Sequence, residues 1–237
     1  MQYKFKTKPY THQLEALEKS WRKKEYAYFM EMGTGKSKVL IDNIAMLYDK
    51  DAINSAVIVA PKGVYRNWLE KEIPSHMPEH IEYKTAIWTP APNKKQKKDL
   101  INIFEPSYEL KILIINVEAF STKKGVTFVN KFVLSHLSLV AVDESTTIKN
   151  PKAQRTKNLI KIATNSKYRR ILTGFPVTRS PLDLYSQCAF LNTHLLGYGS
   201  YYSFQNRYAQ IMNRQLGTHS FRQVVGYQNL EELTSSL

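Results

Sequence analysis

Two short stretches carry residue types at spacings that could do chemistry. The first is "FMEMGTGKSKVLI" (29–41), where Gly33, Gly35, Lys36 and Ser37 match the second half of the phosphate-loop pattern G-x-x-x-x-G-K-[ST]. Met30 stands where the first glycine of that pattern would be. Glycines let the N–H groups of a loop from Gly33 through Thr34 to Gly35 turn inward around a phosphate chain. A helix beginning near Lys36 adds its positive end. Lys36 is then placed to reach the β- and γ-phosphates, and the Ser37 hydroxyl to hold Mg²⁺. The bland alternative is a glycine turn with a surface lysine; an apolar strand before it and a helical pattern after it argue against that.

The second stretch is "LVAVDESTTIKNP" (139–151), an apolar run that rises to Asp143 and Glu144. A phosphate loop that hydrolyses its nucleotide needs a carboxylate for Mg²⁺ and a base for water. Asp143 is assigned the metal, through a water and opposite Ser37, and Glu144 the attacking water. Lys36, Asp143 and Glu144 thus form the candidate catalytic set. Alone, the acidic pair is equally a strand running into a polar turn. About 110 residues after a phosphate loop, in a chain of alternating strands and helices, it reads as the loop's partner.

The elements that must position these residues are legible as apolar runs. "YAYFM" (26–30), "SAVIVA" (55–60), "KILIIN" (111–116), "LSLVAVD" (137–143) and "RRILT" (169–173) read as strands, with "TAIW" (85–88) a weaker one. Several are apolar on consecutive residues, as in parallel strands covered on both faces. Helical faces are marked by Leu14, Leu17 and Trp21, by Leu40, Ile41, Ile44 and Leu47, and by Leu159, Ile160 and Ala163. The fold class expected is α/β, a mostly parallel central sheet with helices on both faces. Four strand ends meet polar motifs: Glu31–Ser37, Pro61–Lys62, Asp143–Glu144 and Thr173–Gly174. Open α/β sheets bind ligands at that edge. "PAPNKKQKKD" (90–99) reads as an exposed loop. Residues to about 194 form the core, and a basic, aromatic, helical appendage is expected from about 195 to 237. Its cluster of Tyr198, Tyr201, Tyr202, Phe204 and Tyr208 is read as local core more than as a base-stacking platform.

Composition sets the limits. The 237 residues are 43% hydrophobic and 23% charged, enough for a sizeable core. The single cysteine excludes an intrachain disulfide and fits a reducing, intracellular setting: cytoplasm or nucleoid, or the nucleus of a eukaryote. The N-terminal "MQYKFKTKPY" lacks the apolar core of a signal peptide, and no run reaches the roughly 18 apolar residues of a membrane helix, so a soluble protein is expected. No His/Cys cluster is spaced to hold zinc. The net charge is +14, and from Ser145 to Leu230 there are twelve Lys or Arg against one acid, Asp183. That asymmetry points to a polyanionic partner, most simply nucleic acid.

In their order the motifs resemble the first, RecA-like motor lobe of superfamily-two helicases, and most closely the Swi/Snf-type DNA translocases. "PYTHQLEAL" (9–17) resembles the glutamine motif, which implies that Gln13 reads adenine. "EMGTGKS" resembles motif I, which in helicases commonly lacks the first glycine. "VIVAPKGVYRNWLEKEI" (57–73) is similar to motif Ia, "LIINVEAF" (113–120) to motif Ib and "VDESTTIKNP" (142–151) to motif II. "ILTGFPVTRSPLDLYS" (171–186) is similar to motif III, and "VVGYQNLEELTSSL" (224–237) to the segment that closes the first lobe. The resemblance implies ATP and Mg²⁺ as cofactors and double-stranded DNA as partner. It also implies nucleic-acid contacts near Lys62, Asn116 and Lys149, and coupling through Thr146, Thr173 and Gly174.

Three departures accompany it. Thr146 occupies the position usually held by His or Asp, and Phe175 one where many members have Thr or Ser. The family's second lobe, with its arginine finger, is not found in these residues and is expected in cis or in trans. An arginine finger can be worth roughly 10³ to 10⁵ in rate, so this lobe alone is expected to bind ATP and hydrolyse it poorly. Two rival readings are a nucleotide-dependent module that grips nucleic acid or a partner with little hydrolysis, and a small-molecule kinase. The second would need a substrate lid and an acceptor site that the sequence does not show, and has no use for a basic C-terminal third.

Overall fold

A computed structural model describes residues 3–216 and 219–235; Ser236 and Leu237 of the lobe-closing segment lie outside the described residues, as do Met1, Gln2, Gly217 and Thr218. Six strands form one parallel sheet: β1 (Glu25–Phe29), β2 (Ser55–Ala60), β3 (Tyr83–Ile87), β4 (Leu110–Asn116), β5 (Ser138–Asp143) and β6 (Tyr168–Thr173). Their order across the sheet is β1-β6-β5-β2-β4-β3. The consecutive apolar residues are explained by the two cores. Ala56, Ile58, Ala60, Ile112, Ile114, Leu139 and Ala141 enter one core, and Val57, Val59, Leu113, Ile115, Val140 and Val142 the other. Strand side chains alternate faces, so a sheet buried on both sides favours apolar residues at consecutive positions.

Helices α1 (Thr11–Ser20) and α2 (Lys36–Tyr48) cover the first face. They are joined there by the short helices α3 (Tyr65–Asn67) and α4 (Ile73–His76), which flank a π-helical turn at Trp68–Glu72. The second face is covered by α5 (Lys94–Asn102), α6 (Lys123–Ser135), α7 (Gln154–Ala163) and α8 (Leu184–Leu191). Two local expectations need correction. The stretch 90–99 is not all loop, because Asn93 and Gln96 form a capping box that starts α5. Gln96 N donates to Asn93 Oδ1 at 2.9 Å and Asn93 N to Gln96 Oε1 at 2.9 Å. The inward face of α7 is built by Leu159, Ile162 and Ala163, with Ile160 only partly covered.

The C-terminal segment is less helical than expected. It holds α9 (Tyr201–Tyr208), an antiparallel hairpin of β7 (Ala209–Leu216) and β8 (His219–Tyr227) with a bulge at Gln210/Ile211, and α10 (Leu230–Ser235). Most hairpin side chains are exposed on both faces, so no apolar alternation announces the strands. Phe204, Tyr208, Ala209 and Leu233 pack on Leu182, Leu184 and Cys188 in a third core. The aromatic cluster is part of that packing: Phe204 and Tyr208 rings lie 4.8 Å apart, and Tyr198 meets both edge-on.

One buried cation fixes the edge of the sheet that carries β1. Arg170 on β6 is fully buried and faces no carboxylate at hydrogen-bonding distance among the described residues. Its five donors all find acceptors: Asn43 Oδ1 at 2.9 Å, and the carbonyls of Lys24, Arg169, Ser20 and Lys23 at 2.8–3.2 Å. Three of those carbonyls belong to the end of α1 and the turn after it, where the helix dipole is negative. Burial still holds the guanidinium below its ordinary pKa. Among the described residues no helix is long and apolar enough to cross a membrane.

Candidate functional site

The strand order puts three motif-bearing strands side by side. β6 lies between β1 and β5, with Phe29 level with Thr173 and Leu172 level with Asp143. Their carboxyl ends therefore carry Met30–Ser37, Thr173–Gly174 and Asp143–Glu144 to one edge.

The phosphate loop turns on Gly33 and Gly35, both left-handed at φ +81° and +82°. Gly35 has a second reason to lack a side chain: a Cβ there would fall 2.4 Å from Gln13 Nε2. Gln13 is 3% exposed; its Nε2 donates to Thr34 O at 2.9 Å and its Oε1 accepts from Tyr10 N at 3.0 Å. His12 Nε2 donates to the same Thr34 carbonyl at 2.9 Å. The glutamine motif thus grips the loop backbone, and both ends of the Gln13 amide are engaged within the protein. Thr34 Oγ1 donates to Glu31 O at 2.7 Å, tightening the turn. Lys36, the first residue of α2, folds back so that Nζ donates to Met30 O at 3.0 Å and Glu31 O at 3.1 Å. Ser37 is half-buried beside it.

Motif III touches this loop directly. Met30 N donates to Thr173 O at 3.2 Å. Gly174 lies so close that a side chain there would come within 3.4 Å of Met32 N and 3.5 Å of Met30 O. The Thr173 hydroxyl is buried and accepts from Phe175 N at 3.2 Å. Phe175 and Met32 are exposed at the rim.

Asp143 is held from two sides: Oδ2 accepts from Trp68 Nε1 at 2.9 Å, and Oδ1 from Glu144 N at 3.0 Å. Burial pushes its carboxyl up to about 6, aided by the Glu144 charge and opposed by the Trp68 and Glu144 N–H groups and the Lys36 charge. Glu144 sits at φ 48°, ψ 63°, left-handed for a residue with a side chain, a conformation costing on the order of 1–2 kcal/mol. It caps the single 3₁₀ turn Ser145–Ile148.

The hydroxyl that crosses from this box to α8 belongs to Ser145. Ser145 Oγ donates to Gln187 Oε1 at 2.6 Å, both residues fully buried, while Thr146 next to it is half-buried and its hydroxyl makes no such bond. Gln187 Nε2 in turn donates to Pro176 O at 2.7 Å and Asp183 O at 2.9 Å. Ser145 shares with Thr146 the variant stretch of the acidic box, whereas no motif marks Trp68 or Gln187 as part of the site. Trp68 had a signal, a tryptophan seven residues beyond Pro61 in the mostly polar "RNWLEKE". Buried tryptophan N–H groups usually take a partner.

The three residues assigned to nucleic acid separate. Lys62 is exposed on the turn after β2. Asn116 is 9% exposed, and its Oδ1 caps the following 3₁₀ turn by accepting from Ala119 N at 3.0 Å. Lys149 donates to Thr178 Oγ1 and lies 3.5 Å from Asp183 Oδ2. Asp183 also accepts from Thr178 N, Thr178 Oγ1 and Arg179 N at 2.9–3.1 Å. Burial raises its carboxyl, but these donors and Lys149 hold it below the usual range. Lys149 thus organises the turn after motif III.

Comparison with known proteins agrees with this layout. The chain shares its fold with the "Sulfolobus solfataricus SWI2/SNF2 ATPase core in complex with dsDNA", at a TM-score of 0.68 and 22% identity, over 88% of this chain and 40% of that one. It is 25% identical over 172 residues to the ATP-dependent helicase fft3 of Schizosaccharomyces pombe, covering 71% of this chain and 17% of the relative. It is 28% identical over 206 residues to the DNA annealing helicase and endonuclease ZRANB3 of Bos taurus, covering 86% and 17%. To the human DNA repair and recombination protein RAD54-like it is 25% identical over 211 residues, covering 86% and 27%. The chain therefore spans only about a sixth of the length of the first of these relatives. The SNF2-related domain matches residues 20–236, which takes in the phosphate loop, the acidic box and motif III and leaves Gln13 just outside. On that match, over most of its length, the chain belongs to the SNF2-related domain family.

Proposed function

We propose that residues 1–237 are the ATP-binding lobe of an ATP-dependent DNA helicase or translocase that couples hydrolysis to movement along double-stranded DNA. The observation that carries this is the meeting of Gly33–Ser37, Asp143–Glu144 and Thr173–Gly174 at the carboxyl ends of three adjacent parallel strands. The residues present fit a magnesium–nucleotide complex. The loop has two left-handed glycines, a side chain at Gly33 would meet nothing within 4 Å, and a lysine and a serine open the helix behind it. Bound there, magnesium–ATP supplies the phosphoryl group passed to water and the positive charge that offsets the phosphates.

In this reading the loop N–H groups and the α2 N-terminus bind the phosphates, and Lys36 exchanges its two carbonyl partners for phosphate oxygens. Ser37 and Asp143 hold the metal, and Glu144 orients and polarises the attacking water. Gln13 contributes to adenine binding chiefly by fixing Thr34 and Gly35, since its amide is already engaged with the loop. Thr173, bonded through its carbonyl to Met30 N, and Gly174 beside it pass a change at the phosphates on to the motif III turn. A second RecA-like lobe, in cis or in trans, supplies what full turnover requires.

The test is a titration with a fluorescent ATP analogue in Mg²⁺, with turnover measured with and without duplex DNA. Binding should be at least tenfold weaker in Lys36→Ala and retained in Glu144→Gln, which should lose whatever DNA-stimulated turnover the wild type shows. Unchanged affinity in Lys36→Ala would refute the site.

A further inference from the structure

Trp68 and Asp143 are 75 residues apart in sequence, and the indole Nε1 lies 2.9 Å from the carboxylate Oδ2. Trp68 is 2% exposed and belongs to the core beneath α2. An indole N–H can only donate, so at this depth it needs an acceptor. It has taken the acceptor that carries the most consequence in the fold. A carboxylate offers about four lone-pair sites. The N–H groups of Trp68 and Glu144 use one on each oxygen. The carboxylate plane is thereby fixed, with capacity left on both oxygens.

The backbone that carries Trp68 is unusual. The π-helical turn Trp68–Glu72 closes with Ile73 N on Trp68 O, one residue further along than an α-helical bond. Single π turns are frequent at functional sites. The same segment is continuous with the turn after β2, since Val64 N and Tyr65 N both donate to Pro61 O at 3.0 Å. Exposed Lys62 lies within that turn. One short piece of chain therefore reaches from the surface turn to the carboxylate.

We infer that Trp68 is a positioning residue: its indole N–H sets the Asp143 carboxylate for magnesium and ties it to the segment that follows the Pro61–Lys62 turn. This rests on the nucleotide-site reading above. The competing account is a core tryptophan whose N–H has been satisfied by a convenient oxygen, in which case loss of the N–H costs packing alone.

The experiment compares the Mg²⁺ concentration needed for half-maximal binding of a fluorescent ATP analogue with the affinity of the same analogue in EDTA. Trp68→Phe removes the N–H and also some volume. A second variant with benzothienylalanine at position 68 replaces the N–H by sulfur and keeps the shape. Partners that orient metal ligands commonly change metal affinity 10–100-fold. Both variants should raise the Mg²⁺ requirement on the order of tenfold and leave the EDTA affinity within about twofold. An unchanged Mg²⁺ requirement in the benzothienylalanine variant overturns the inference, whatever Trp68→Phe does to folding. Asp143→Ala separates the two levels. If it raises the Mg²⁺ requirement and the sulfur variant does not, only the role of Trp68 falls. If Asp143→Ala itself changes nothing, the nucleotide-site reading falls and this inference with it.

Discussion

Ser145 donates its hydroxyl hydrogen to Gln187 Oε1 across 2.6 Å, in a contact from which water is excluded. Gln187 spends its amide protons on the carbonyls of Pro176 and Asp183, so one side chain closes the acidic box, the motif III turn and α8 into a unit. Gln187→Ala leaves one buried donor and two carbonyls without this partner, and each such group costs about 1–3 kcal/mol. Urea unfolding should show a loss of that order. Thr146→Ala, next door, should stay within about 0.5 kcal/mol, as substitutions outside buried networks do. Equal losses at the two positions would contradict the assignment of the crossing bond to Ser145.

Arg170 predicts a larger effect. Arg170→Leu keeps the stem and deprives the end of α1, Arg169 O and Asn43 of five hydrogen bonds inside the core. Removing a buried, hydrogen-bonded charge from its network costs on the order of 3 kcal/mol when partners are left unpaired. Arg170→Lys, with three donors in place of five, should fall between wild type and Leu. Since these bonds hold α1, nucleotide affinity should fall in parallel with stability through Gln13 and Thr34. Thermal melts and nucleotide titration on the same variants check both.

The sheet was readable because parallel strands buried on both faces favour apolar residues at consecutive positions, as at residues 56–60 and 112–115. The nucleotide edge was readable because a phosphate loop needs fixed residue types at fixed spacing. What escaped was set by tertiary contact. Nothing local distinguishes Ser145 from Thr146 as the residue whose hydroxyl meets α8; the choice depends on the left-handed turn at Glu144. Asn116 ends its strand among polar motifs much as Lys62 follows its own, and nothing local announces that its Oδ1 caps the next turn at Ala119 N. The hairpin of β7 and β8 was missed because its strands satisfy each other and leave both faces in water, so burial imposes no period on them.

Asp42 gives a pH dependence with a definite sign. It is buried in α2 with Lys38 Nζ 2.7 Å from Oδ2, while its Oδ1 has no hydrogen-bond partner. Burial outweighs the Lys38 hydrogen bond and charge and pushes the carboxyl up to about 6. The unfolded chain titrates near the ordinary aspartate value of about 3.9. A raised folded pKa means that the folded state binds the proton more tightly. The contribution to stability is fully present below the unfolded pKa and is lost as pH rises through about 6. From pH 7 to pH 5, unfolding free energy measured in urea should therefore gain a favourable term in the wild type. Asp42→Asn should lose the Asp42 share of that term and make the profile shallower over the same window, leaving the share of Asp143, whose carboxyl is also pushed up to about 6.

Lys62 and Asn116 separate a nucleic-acid contact from a structural cap. Lys62 is exposed on the turn after β2, and a lysine on a phosphate acts through its charge. Lys62→Ala should weaken duplex DNA binding evenly across sequences and lower the slope of log affinity against log salt by about 1. Asn116→Ala should leave that slope unchanged and cost about 1 kcal/mol of stability, the usual loss when a capping acceptor is removed. Asn116→Asp restores an acceptor for Ala119 N and should recover the stability. If Asn116 met phosphate instead, the new negative charge would weaken DNA binding more than Ala does. Fluorescence anisotropy at several salt concentrations, paired with urea unfolding of the same three variants, distinguishes the two roles.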